Sequence, residues 1–290
     1  MGNSKTSELC FTIAVLITCF NRSEKTRCCL LNLYDQELPK NVSFEVFLCD
    51  DNSTDGTGEM LELEFPQVKV VKGNGHLYWG GGMRVAWTAA KKFSNFDAYL
   101  WLNDDTFLIP KSLKILISEY HEIGKPAILN SPCKIPNTQS FSYGGHDEKG
   151  SPMPPNGMIQ EIYSINGNLV FIPKEIEEKI GMISPRYTHY LGDVDYALRA
   201  KKVGFKSYST STYLVECDQN NLPNWADPKL SIIKRWKLLH HVKGRAASEY
   251  VAFKSYHSGI LNGINSWIDI YLRLVFTNKY VLIRKLLFNK

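Results

Sequence analysis

Apolar and polar positions fall in alternating blocks along this chain. Phe11–Ile17 (FTIAVLI) is a continuous apolar run with β-branched members, the pattern of a strand buried on both faces. Ser23 to Gln36 follows with helical spacing, Phe44–Cys49 (FEVFLC) reads as a second strand, Thr54–Glu64 as a helix and Val68–Val71 as a short third strand. A glycine-broken loop through Gly73–Gly82 leads to a helix over Met83–Phe93, and Ala98–Leu102 (AYLWL) is a further strand. Pro110 is expected at the first position of the next helix. The pattern restarts at Ser164, with Leu169–Ile172 strand-like, Asp193–Val203 helical and Ser207–Val215 strand-like. Strands alternating with helices predict an α/β fold: a Rossmann-like, mostly parallel sheet flanked by helices. A polar stretch after Cys217 (DQNNLPNWADP) marks a boundary, and residues 229–290 read as mainly helical. The expected organisation is an α/β domain over 9–217 and a basic, mainly helical C-terminal region over 218–290.

Composition narrows the class. The 290 residues are 44% hydrophobic and 22% charged, which excludes a disordered or collagen-like chain. The net charge of +5 is too small to point to nucleic acid, but it is unevenly placed. Residues 227–290 hold twelve Lys/Arg against three acids, so they carry +9, while the remaining 226 residues carry −4. An acidic body with a basic tail implies that the tail faces something anionic. In that tail Trp267, Ile268, Tyr271, Leu274, Val275, Leu282 and Leu286 recur at near-helical spacing, interrupted by Arg273, Lys279, Arg284 and Lys285. A basic amphipathic helix over 266–290 suits an anionic membrane surface, and it suits equally a helix packed on the preceding domain. Seven cysteines, two of them adjacent and none in a C-x-x-C pair, fit neither a disulfide framework nor a zinc site. They point to a reducing, cytoplasmic compartment. Leu9–Phe20 reads as a buried strand and not as a signal core, and Met1–Thr6 (MGNSKT) matches a myristoylation pattern. No run reaches the about 18 uncharged apolar residues of a spanning helix. The expected location is cytoplasmic, peripheral at the inner face of the plasma membrane where the tail meets it.

Ligands of open parallel sheets bind beyond the carboxyl ends of the strands. Three such ends are polar here: Thr18-Cys19-Phe20-Asn21-Arg22, Asp50-Asp51-Asn52-Ser53 and Asn103-Asp104-Asp105. Carboxylates gathered at one edge repel unless something positive joins them, and their hard oxygens suit Mg²⁺ or Mn²⁺ together with substrate phosphates. Asp50–Ser53 is also good turn and N-cap chemistry. Asp104-Asp105 is followed by Thr106–Ile109 and not by an immediate helix, so capping accounts for it less well. There is no G-x-x-x-x-G-K-[ST] and no G-x-G-x-x-G after a strand. Gly80-Gly81-Gly82 before a helix allows a close backbone approach to a ligand, or is a plain loop.

TCFNR, CDDNSTDGT, WLNDDTF and YLGDVDYALRAKKVGF, in that order, resemble a family 2 glycosyltransferase of the GT-A fold over about residues 11–215. HLYWGGGMRVAW adds a likeness to the bacterial rhamnosyltransferase-like branch. The resemblance implies a GT-A-type sheet and a nucleotide-sugar donor. Thr18 and Asp51 would meet the base and ribose, with Asn21, Arg22 and Asp104 in the same donor site. Asp105, with Asp104 beside it, would hold Mn²⁺ or Mg²⁺ on the diphosphate, and Asp193 would be the general base. Many members carry Glu-Asp where this chain has Gly192-Asp193, which puts a two-acid site in doubt. By local physics Asp193 is expected to cap its helix, with a pKa lowered by the helix start, and Asp195 to pair with Arg199 four residues on. His189 is placed to line an acceptor site or to serve as a hydrogen-bonded structural residue. Trp79 is a further acceptor-site candidate. Arg245 is a diphosphate candidate or a solvated surface arginine, and His257 in YHSG is a candidate late metal ligand. The implied activity is inverting transfer of a sugar from a UDP- or dTDP-linked donor to a hydroxyl of a glycan or lipid-linked glycan. A sugar-nucleotide nucleotidyltransferase would carry a glycine-rich basic loop after the first strand, and TCFNR has no glycine. A GT-A-like binding protein without catalysis is the other reading, against which Asp105 and Asp193 argue.

Overall fold

The computed structural model describes residues 10–219, 224–277 and 279–280. The chain runs β1 (Phe11–Cys19), α1 (Ser23–Tyr34), β2 (Val42–Asp50), α2 (Thr57–Glu64), β3 (Lys69–Lys72), α3 (Tyr78–Phe93), β4 (Ala98–Leu102), β5 (Phe107–Leu108), α4 (Ser112–Ile123) and β6 (Ala127–Asn130). It continues through β7 (Cys133–Lys134), β8 (Phe141–Tyr143), β9 (Gln160–Ile162), β10 (Leu169–Pro173), α5 (Lys174–Ile180), α6 (Gly192–Lys202), β11 (Lys206–Ser209) and β12 (Val215–Glu216). Helices α7 (Ile232–His240), α8 (Ala247–Ser258) and α9 (Ile260–Val275) follow.

An eight-stranded sheet has the order β3-β2-β1-β4-β10-β6-β11-β9. Side chains of β1 alternate between its faces. Ile13, Val15 and Ile17 pack with Leu30 and Leu33 of α1 and Leu116 of α4, while Ala14 and Leu16 pack with Met83 and Trp87 of α3 and Tyr196 of α6. Both faces are therefore covered, which is why the central strands read as unbroken apolar runs. The chain winds outward from β1 through β2 to β3, then reverses to β4 on the other side of β1, and this switch opens a crevice beyond the ends of β1 and β4.

The sheet is more mixed than the mostly parallel one expected. β1 to β4 are parallel, but β10 runs antiparallel between β4 and β6, and β9 is an antiparallel edge. The consequence is functional: Leu169 of β10 pairs with Leu102 of β4, so the residues preceding β10 arrive at the same edge as the residues following β4. A second, four-stranded sheet, β5-β12-β7-β8, places Tyr143 and Cys217 beside that edge.

Local boundaries differ from expectation where packing overrides propensity. Helix α3 begins at Tyr78 and includes Gly80, Gly81 and Gly82, three of the five glycines expected in the loop. A Cβ on Gly82 would overlap the Thr18 side chain, and one on Gly80 would stand 2.6 Å from the Tyr187 carbonyl oxygen. The glycines let α3 lie close against β1 and the 187–188 segment, so they serve the protein's own packing. Pro110 lies ahead of α4, which starts at Ser112 behind Lys111 in the left-handed region (φ 69°). Met1–Thr6 and Leu9, and Leu282, Arg284, Lys285 and Leu286 of the tail, lie outside the described residues.

Candidate active site

The crevice is a cleft of about 710 Å³. Thr18, Arg22, Asp51, Trp79, Asp104, Asp105, His189 and Asp193 all line it, so residues spread over 176 positions of sequence converge on one surface. Asn21, Arg245 and His257 do not line it.

Arg22 stands at the foot of α1, and its guanidinium reaches across to β4: one nitrogen lies 3.0 Å from an Asp104 oxygen and 2.7 Å from an Asp105 oxygen. Both carboxylates are buried, at 5% and 9% exposure. Burial raises the Asp104 pKa to about 7, with Arg22 opposing the shift and Asp105 adding to it. No cation lies near the pair in sequence; the fold brings one from 82 positions away. Once Asp104 is ionised, two buried carboxylates with one guanidinium leave a negative balance, and hard oxygens facing a cleft suit a divalent cation that takes its other ligands from a bound diphosphate. No group of three or more His, Cys, Asp or Glu placed to hold a metal occurs among the described residues. Asn103 is committed elsewhere: its amide oxygen accepts from the Trp79 indole N–H at 2.7 Å and its nitrogen donates to Asn168 at 2.5 Å.

Asp51 is buried, and its carboxylate accepts from the backbone N–H groups of Gly75 (2.8 Å), Leu77 (2.9 Å) and Tyr78 (3.2 Å). It thereby shapes the loop that opens α3, and a Cβ on Gly73 would come within 2.5 Å of it. Asn21, in the left-handed region (φ 51°), clips the turns after β1 and β2 together: its side-chain oxygen accepts from Thr54 N–H at 2.7 Å and its N–H donates to the Ser53 hydroxyl at 2.9 Å.

Asp193 sits in the first turn of α6, two positions after the cap; Leu191 takes the N-cap place with φ 67°. One Asp193 oxygen accepts from Gly167 N–H at 3.0 Å and the other from Val194 N–H at 2.8 Å. Its pKa is raised, contrary to the lowering expected from the helix start, because desolvation by the surrounding protein outweighs those two hydrogen bonds. Gly167 belongs to Asn166-Gly167-Asn168, the segment that the antiparallel β10 carries to this edge. Asn130 fixes it, donating to the Asn166 carbonyl at 2.9 Å, and Asn103 N–H donates to the Asn168 carbonyl at 3.0 Å. Trp79 wedges between this segment and α6: Cβ atoms on Gly167 and Gly192 would stand 2.5 and 3.3 Å from its ring. Sequence reasoning missed Asn166–Asn168; the run SINGN, small and polar just ahead of an apolar strand, was the available signal.

His257 is far from a ligand role. It is buried on α8, and its Nε2 lies 2.8 Å from an Asp195 oxygen whose partner oxygen accepts from Arg199 at 2.7 Å. Asp195 is fully buried, so the expected Asp195–Arg199 pair is present and gains the histidine from the C-terminal region. Arg245 stacks on Tyr250, its guanidinium carbon 3.8 Å from the ring centre. The same segment supplies His241 and Lys243 to the cleft wall.

His189 lies between the rings of Tyr78 (6.2 Å) and Tyr190 (4.6 Å). Burial, then the nearby charges of Lys243 and Arg22, lowers its pKa from 6.5 to about 4. The unfolded chain therefore binds this proton at a higher pH than the native state does, and His189 withdraws stability as pH falls from 6.5 towards 4. Thermal unfolding of wild type and His189→Gln should show the variant gaining on the wild type between about pH 7 and pH 5. A difference between the two that stays constant over that range would mean that the ring takes up its proton as readily in the native state as in the unfolded chain.

The fold and the cleft define a GT-A-type enzyme, a Rossmann-like sheet with carboxylates at its switch point. The family described as Glycosyl transferase family 2 matches residues 14–176, more than half of the chain, and the protein belongs to that family of glycosyltransferases. No curated protein matches it. Among solved structures it is similar to a mannosyltransferase from Pyrobaculum calidifontis, PcManGT, in complex with GDP-Man and Mn²⁺, at 13% identity and TM-score 0.55, covering 95% of this chain and 75% of that one. It is similar also to S. aureus TarS 1-349 in complex with UDP-GlcNAc, at 16% identity and TM-score 0.54, covering 94% and 76%. GalNAc-T7 with UDP, GalNAc and Mn²⁺ aligns at 14% identity and TM-score 0.56, covering 80% of this chain and 48% of that one. These likenesses establish the shared fold.

Proposed function

We propose that this protein transfers one sugar, with inversion, from a UDP- or dTDP-linked donor to a hydroxyl of a glycan or lipid-linked glycan. The observation that carries the reading is the division of the cleft's carboxylates. Asp51 is tied to three backbone N–H groups, and Asp104 and Asp105 share Arg22. Asp193, among the described residues, is in no ion pair and stands apart on α6. One basic carboxylate is what a single displacement requires. Asp193 takes the proton of the acceptor hydroxyl while that oxygen bonds to the anomeric carbon and the bond from that carbon to the diphosphate breaks. Asp104 and Asp105 would hold Mn²⁺ or Mg²⁺, which when bound supplies positive charge against the departing diphosphate. Arg22 and Lys243 add to the same field, and Thr18 and the loop shaped by Asp51 form the nucleotide end. Tyr78, Trp79, His189 and Tyr190 offer ring faces to a sugar acceptor. HLYWGGGMRVAW supports a rhamnosyltransferase-like donor preference, and the seven free thiols support a cytoplasmic site of action.

Hydrolysis and transfer assays with UDP-, dTDP- and GDP-sugars, with and without Mn²⁺, test this, with the product anomer read by NMR. Turnover with inverted product supports the reading. A retained anomeric configuration, or no affinity for any of the nucleotides in calorimetry, removes it.

A further inference from the structure

Helices α7 and α9 expose more apolar surface than the fold covers. Ile233 and Trp236 on α7, and Leu261, Ile264 and Trp267 on α9, are 49–76% exposed. On α9 the buried residues Gly263, Ile270 and Leu274 form one stripe; Ile270 and Leu274 pack in the small core with Leu239 and Ala247, and Gly263 lies against Ser255 of α8. Positions 260, 264, 267, 271 and 275 form a second apolar stripe beside it, at i, i+4, i+7, i+11 and i+15. The two helices present this surface as one strip. Trp236 contacts His240 at 4.6 Å between ring centres, the His240 Nε2 lies 3.1 Å from the Tyr271 hydroxyl, and Tyr271 contacts Trp267 at 4.9 Å.

The region that carries the strip is cationic. Lys229, Lys234, Lys237 and Arg273 are exposed on it, and residues 224–277 hold eight Lys/Arg against three acids. Tryptophans between aliphatic and basic residues suit a zone that is apolar on one side and wet and anionic on the other. Among the described residues no helix is long and apolar enough to cross a membrane.

We propose that the α7–α9 strip is a docking face for the surface of an anionic lipid bilayer, with Trp236 and Trp267 entering the interfacial zone and Lys234 and Lys237 meeting lipid phosphates. This moves the contact expected of 266–290 to a surface that begins at Ile232 on a separate helix. Helix α7 runs from this strip to His241 and Lys243 on the cleft wall, so docking would hold the cleft beside the headgroups. That last step rests on the proposed transfer to a lipid-linked acceptor; the docking itself does not.

The test is co-sedimentation of the full chain with vesicles of phosphatidylcholine alone and with about one third phosphatidylglycerol, at about 50 mM and 500 mM salt. Wild type should bind the anionic vesicles at low salt and release them at high salt. Lys234→Glu/Lys237→Glu should lose binding by about tenfold or more, since each basic residue near an anionic surface contributes measurably. Brominated lipid should quench wild-type tryptophan emission, and Trp236→Phe/Trp267→Phe, which keeps the surface apolar, should abolish that quenching. Hydrolysis of a soluble donor should be unchanged in both variants, so that loss of docking is separable from loss of the transferase. No binding of wild type at low salt, equal binding of neutral vesicles, or unchanged binding by the charge-reversed variant would each overturn the proposal. So would a concentration-dependent dimer that the Trp pair disrupts without any effect on vesicles, which would make the strip a contact between two copies.

Discussion

Replacing Asp193 by asparagine is expected to lower turnover by roughly 10²–10⁴, the usual contribution of a positioned base. The loss should appear in kcat, with affinity for UDP or dTDP nearly unchanged, because Asp193 stands on α6 and not with the Arg22–Asp104–Asp105 group. The amide keeps the size and can still accept from Gly167 or Val194 N–H, so the fold should survive. Stability should even rise at neutral pH. The Asp193 carboxyl holds its proton more tightly folded than unfolded, so its contribution is favourable in acid and is lost as pH rises through the raised native pKa. Asparagine has no charge to desolvate and escapes that penalty. Thermal unfolding at neutral pH measures this, and steady-state transfer measures the rest. The same upward shift moves the acid limb of the wild-type rate profile to higher pH than an ordinary aspartate would give. Near-normal transfer by the variant would reduce Asp193 to a structural residue of the helix start.

What could be read from the chain and what could not follow a physical division. The buried strands were legible because a strand segment covered on both faces must be apolar, and Ile13–Ile17 of β1, Val46–Cys49 of β2 and Ala98–Leu102 of β4 are. Their polar ends were legible too, since an Asp pair at the end of such a run needs a partner or a ligand whether or not it is buried. Features set by distant partners were not. Nothing near Asp104 announces Arg22, which is 82 residues away. Gly80–Gly82 read as a loop because glycine disfavours helix, yet close packing on Thr18 and Tyr187 decides the matter. His257 reads as a metal ligand only while its neighbours are unknown; the burial of Asp195 needs a partner on its second oxygen, and α8 brings this one. The direction of the Asp193 shift failed likewise, because a helix start is visible in sequence and desolvation is not.

Replacing Asp105 by asparagine is expected to abolish measurable transfer and to remove the Mn²⁺ dependence of nucleotide binding. Two buried carboxylates and one guanidinium leave the cleft floor short of positive charge, and a divalent cation with a diphosphate completes it. Asparagine leaves Arg22 matched one to one with Asp104, so the demand for a second cation disappears while the space is kept. Titration of UDP and dTDP in the presence and absence of Mn²⁺ should show metal enhancement in wild type and none in the variant. A second variant separates this from a loss of fold. Arg22→Gln removes the native counter-cation and leaves Asp104 and Asp105 facing each other, an arrangement that is destabilising because buried charge goes uncompensated. Added Mn²⁺ should then raise the thermal stability of Arg22→Gln by more than it raises that of wild type, since binding to the native state alone shifts the unfolding equilibrium. In Asp105→Asn the same addition should do little. If Mn²⁺ stabilises neither wild type nor Arg22→Gln, the pair is not a metal site, and Arg22 is the cation that meets the diphosphate.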